Sequence, residues 1–69
     1  MVSIFCYNGY NGRSDLEGAV VCASIAVKKQ YRESGNLGEC FAFLYDETKH
    51  RRFIVWLNDD LEVKVRKIS

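Results

Sequence analysis

Long apolar runs are missing from this chain. The longest uncharged stretch after its N-terminal loop runs only from Gly18 to Val27, well short of the roughly 20 residues a membrane-spanning helix needs. Closely spaced cysteines are missing too. Cys6, Cys22 and Cys40 include no CxxC pair, and structural zinc sites draw their ligands from such pairs, so these thiols with His50 make a poor zinc set and no metal is expected. An odd cysteine count without a signal-like start reads as a reducing, cytoplasmic setting.

An excess of one charge is also lacking, with ten Lys/Arg against nine Asp/Glu. That balance excludes a strongly basic nucleic-acid binder and a polyacidic mimic of DNA. His50 is the sole histidine, and no Ser/His/Asp set, paired-carboxylate motif, P-loop or dinucleotide fingerprint is present. No catalytic residue and no cofactor is therefore assigned, and the chain reads as a non-enzyme. No linker, repeat or low-complexity segment divides it, so residues 1–69 read as a single compact domain.

What is present is a heavy apolar load: 48% of the residues are hydrophobic and 13% aromatic. A chain this short buries only about 60% of the surface its unfolded form exposes. Part of that load is left for contacts with a partner.

Val2 to Tyr7 is β-branched and aromatic and reads as a strand. Two Asn-Gly pairs, Asn8-Gly9 and Asn11-Gly12, follow as a turn or loop before a helix. Backbone amides in such a place can hold an anion, but the glycine spacing matches no phosphate-binding motif, so Gly9 and Gly12 read as structural. Arg13 is the residue that would test the point. Ser14 with Glu17 three residues later forms a capping box. Leu16, Val20, Ala23, Val27 and Tyr31 recur at helical spacing, and Gly35 suits a left-handed cap, predicting a helix over Asp15 to Ser34. Val21, Cys22 and Ile25 lie off that stripe, and so wide an apolar arc implies burial on more than one side. Cys22 and Cys40 read as small core residues.

The C-terminal half is a meander. Strands are predicted at Cys40 to Tyr45, Arg52 to Leu57 and Leu61 to Ile68, joined by short polar turns that enforce antiparallel pairing. The fold class is thus α+β, one helix on a three- or four-stranded antiparallel sheet in β-α-β-β-β order.

Side chains alternate along a strand. Only the last strand separates cleanly, Leu61, Val63 and Val65 against Glu62, Lys64 and Arg66. The others are apolar on both sides, so the phase facing the helix stays open. One helix covers one face, and an aromatic face remains whichever phase is chosen. Tyr7, Phe43, Tyr45, Trp56, Arg52, Lys64 and Arg66 are the candidate partner-binding residues, because buried aromatics and arginines dominate binding energy. The expected function is protein–protein interaction by a small regulator or inhibitor, acting as a homodimer. The analogy is to the size class, in which virus-encoded inhibitors of host machinery are common. The alternative is single-stranded nucleic acid stacked on the same face, with the basic turn Lys49, His50, Arg51 and Arg52 on its phosphates. A solvated hairpin tip explains that turn as well.

Overall fold

The computed structural model describes residues 1–6 and 11–68. Among them the chain forms β1 (Val2–Cys6), β2 (Asn11–Ser14), α1 (Leu16–Ser34), a 3-10 turn (Leu37–Glu39), β3 (Phe41–Asp46), β4 (Arg51–Leu57) and β5 (Val63–Lys67). All neighbouring strands pair antiparallel in the order β2-β1-β3-β4-β5, and α1 packs across one face. The architecture is the α+β fold predicted, with a C-terminal meander and one strand more than the three or four expected.

The added strand is β2, and it corrects the reading of Asn11-Gly12 as loop. Asn11, Gly12, Arg13 and Ser14 have no strand-like composition. They are held extended by pairing with β1, Val2 opposite Ser14 and Ile4 opposite Gly12. Because β1 lies between them, β2 and β3 run parallel, and α1 is the crossover that joins them.

The same pairing moves the helix start. Ser14 is committed to β2, so Asp15, not Ser14, is the N-cap, and its carboxylate accepts from the Gly18 N–H at 2.8 Å. The Ser14–Glu17 capping box is not formed. At the other end Gly35 has φ +67° and donates its N–H to Tyr31 O, the cap expected there.

Burial fixes the strand phases. Val2, Ile4 and Cys6 of β1, Ala42 and Leu44 of β3 and Val55 and Leu57 of β4 meet Ala19, Ala23 and Val27 of α1 in one core. Ala42 shares this core with the alanines of α1, while Phe41 and Phe43 lie on the other face of the sheet. Cys40 is buried as expected. Cys22 is not: it is exposed, together with Val21 and Ile25. The wide apolar arc of α1 is therefore buried on one side only within the chain.

β5 is shorter than the strand predicted. Leu61 belongs to the turn, at φ +62°, and the Asn58 side chain and backbone organise that turn by accepting from Asp60, Leu61 and Glu62 N–H groups. Val65, placed on the inner side of this edge strand, is still 44% exposed. The alternation read for this strand holds, Val63 and Val65 lying on the inner side and Lys64 and Arg66 on the outer, but the inner side is only partly covered.

Candidate functional site

Among the described residues no helix or further strand packs over the face of the sheet away from α1. Three rows of side chains cross it, as the registers dictate. Arg13, Ser3, Tyr45 and Arg52 form the first; Asn11, Phe5, Phe43, Ile54 and Arg66 the second; Phe41, Trp56 and Lys64 the third. Aromatic and aliphatic residues hold the centre of the face, and each row ends on β4 or β5 in a cation.

Phe5 and Phe43 are direct cross-strand neighbours and remain 49% and 41% exposed. Phe41 packs edge-to-face on Phe43, with centroids 5.5 Å apart at 71°. Trp56, Tyr45 and Ile54 are half-buried among these neighbours. Ile68, held over the face by its N–H donating to Arg52 O at 2.8 Å, stands between two shallow grooves. One is lined by Phe5, Phe43, Tyr45 and Arg52, the other by Ile54, Trp56 and Arg66.

The cations differ in what they meet. Arg13 lies 2.8 Å from Glu47, which also accepts from Ser3 Oγ. Lys64 reaches Glu62 only at 4.0 Å. Arg52 and Arg66 have no carboxylate partner among the described residues.

Of the seven candidate residues, Phe43, Tyr45, Trp56, Arg52, Lys64 and Arg66 thus fall on one face, while Tyr7, like Gly9, lies outside the described residues. Sequence reasoning missed Phe5, Phe41, Ile54 and Ile68. Phe5 carried a signal: it lies two residues from Ser3, the one polar residue of β1, and so shares the face that Ser3 marks as outer.

The basic turn is divided by strand alternation. Lys49 and His50 are exposed at the hairpin tip, with His50 at φ +52° and its Nδ1 3.4 Å from Tyr45 Oη. Arg51 turns to the helix side, where it pairs with Asp46 at 2.7 Å and lies over the Phe53 ring. Arg52 joins the open face, and His50 borders it at Tyr45. The four residues therefore do not share one face of the sheet.

Gly12 sits within β2, and Arg13 pairs with Glu47 at 2.8 Å. Among the described residues no three His, Cys, Asp or Glu side chains gather as metal ligands. Burial pushes the Cys6 thiol up, with Cys22 adding to the shift. It pushes the Cys40 thiol up as well, partly offset by a hydrogen bond with Ser34. Such thiols are poorly nucleophilic. No helix among the described residues is long and apolar enough to cross a membrane.

Comparison with protein-family models, curated proteins and solved structures gives no match to this chain.

Proposed function

We propose that this protein is a non-enzymatic binding protein, of the regulator or inhibitor kind, that takes up an acidic protein partner on its open sheet face. The observation that carries this reading is the exposed Phe5–Phe43 pair, set among half-buried aromatics and rimmed by Arg52 and Arg66, whose guanidinium groups have no carboxylate partner among the described residues. Exposed contiguous apolar surface marks interaction sites, and arginines beside aromatic anchors are the residues that carry binding energy. The two grooves beside Ile68 suit apolar side chains of a partner, and carboxylates of that partner would complete the rim.

Single-stranded nucleic acid is the rival occupant, drawn by the same cations. Two features count against it. Phe41 and Phe43 pack on each other instead of standing as free plates for bases, and the basic turn is split between the two faces of the sheet. A second copy of this chain fits this face less well, because of the carboxylates bordering it Glu47 is paired with Arg13 at 2.8 Å and Glu62 lies beside Lys64 at 4.0 Å. Stacked copies would bring cations together without anions to meet them.

The test is affinity capture from source cells with wild type, Trp56→Glu and Arg66→Glu as baits, with and without nuclease. A captured protein is then purified and titrated against the fluorescence of Trp56, the only tryptophan. The expected result is a nuclease-resistant protein, lost with either variant, whose binding changes the Trp56 emission and weakens with added salt. Release by nuclease would assign the face to nucleic acid. Equal capture by all three baits would remove the face from the function altogether.

A further inference from the structure

α1 carries a second apolar surface, on the side away from the sheet. At 3.6 residues per turn, the positions opposite the buried Ala19, Ala23, Val27 and Gln30 are Val21, Ile25 and Arg32. Val21 is 54% and Ile25 61% exposed, and exposed Cys22 flanks them. Isolated surface apolar residues are ordinary. What distinguishes this pair is the charge around it.

Glu17 stands one turn before Val21, and Lys29 one turn after Ile25, with Lys28 and Arg32 extending the basic end. Glu17, Lys28 and Arg32 make no ion pair among the described residues, and Lys29 reaches Glu33 only at 4.0 Å. The ridge is thus acidic at its start, apolar in the middle and basic at its end.

We propose that two copies of this chain associate through their α1 helices, packed antiparallel about a two-fold axis that crosses between Val21 and Ile25. In this register Val21 of each copy meets Ile25 of the other, and the same alignment sets Glu17 opposite Lys29. A two-fold contact repeats each pairing, so one complementary pattern is used twice. A parallel alignment would place Glu17 beside Glu17 and Lys29 beside Lys29. The antiparallel one also opposes the helix dipoles. Association on α1 leaves the open sheet faces of both copies outward, so each remains free for its own partner. The pairing is independent of what binds the sheet face.

The test is sedimentation velocity on the full chain over a concentration series from about 1 μM to about 1 mM, a range that brackets weak dimers. Wild type is expected to pass from monomer to dimer, and Ile25→Asp to stay monomeric throughout. Glu17→Lys is expected to raise the dissociation constant about tenfold, and adding Lys29→Glu to recover most of that loss. Circular dichroism checks that each variant keeps its helix; the charge pair decides the matter if Ile25→Asp does not fold. Wild type that is monomeric at every concentration overturns the proposal. So does a double variant no better than Glu17→Lys alone, or a dimer that survives Ile25→Asp and is lost with Trp56→Glu.

Discussion

Asp46 and Arg51 hold the β3–β4 hairpin closed from its inner side. Arg51 Nη2 donates to Asp46 Oδ2 at 2.7 Å and Nε at 3.3 Å, while Oδ1 accepts the backbone N–H groups of Thr48 and Lys49 at 3.1 and 3.3 Å. One carboxylate thus satisfies the turn's donors and the guanidinium together. It also turns Arg51 away from the open face.

A pH dependence follows from that arrangement. The Arg51 hydrogen bond holds the Asp46 carboxyl below the usual aspartate range; burial opposes this, and the Thr48 and Lys49 N–H groups add to the lowering. A carboxylate lowered in the folded state stabilises the fold fully above its unfolded pKa, about 3.9. That contribution is lost as pH falls through the lower folded value. Urea midpoints for wild type and Asp46→Asn, measured from about pH 7 to pH 2, are expected to differ most at neutral pH. The two curves converge below about pH 4 as the wild-type carboxylate is protonated. A difference that stays constant with pH would show that the charge of Asp46 does not matter.

Leu61 carries a conformational cost. It sits at φ +62°, where an L-residue other than Gly, Asn or Asp is disfavoured by about 1–2 kcal/mol. Its side chain lines a groove with Tyr31 and Leu57 at the end of α1, yet is 49% exposed, so packing returns only part of that cost. Leu61→Gly relieves that strain but adds about 0.5–1 kcal/mol of backbone entropy and loses the contact, so it is expected to be near neutral overall and more stable than Leu61→Ala. Leu61→Ala keeps the strain and loses the packing, and is expected to destabilise. Thermal and urea denaturation of both variants separate the two terms; a Gly variant weaker than the Ala variant would contradict the strain argument.

The C-terminal end of α1 and the meander were legible because their signals are local. Gly35 ends the helix through its own backbone freedom, and Asn58-Asp59-Asp60 bends the chain through its own side chains. β2 was not legible, since Gly12 and Arg13 become a strand only by pairing with β1. The phase of β3 was hidden for a different reason. Phe41 and Phe43 are larger and more apolar than Cys40 and Ala42, yet the small pair faces the helix. Which side meets α1 is decided by tertiary packing, which the residues of the strand alone do not carry. The aromatic face was therefore foreseeable as a surplus, whereas its membership, with Phe5 and Ile54 included and Arg51 excluded, required the registers.

Gln30 is the remaining inconsistency in the core. It is 4% exposed on the inner side of α1, and neither Oε1 nor Nε2 has a hydrogen-bond partner among the described residues. A buried amide without partners costs about 1–3 kcal/mol relative to a satisfied one. Methionine has nearly the same length and no such requirement, and its flexible thioether adapts to an irregular gap. Gln30→Met is therefore expected to raise stability by about 1–2 kcal/mol. The gain would appear as a higher urea midpoint with an unchanged slope, the mark of a stability change without altered compactness. Gln30→Ala removes the same polar atoms but leaves a cavity, and is expected to fall below Gln30→Met by about 1–3 kcal/mol. If Met is destabilising while Gln30→Glu is tolerated, the amide has a polar partner, such as an ordered water, and the unsatisfied-amide account fails.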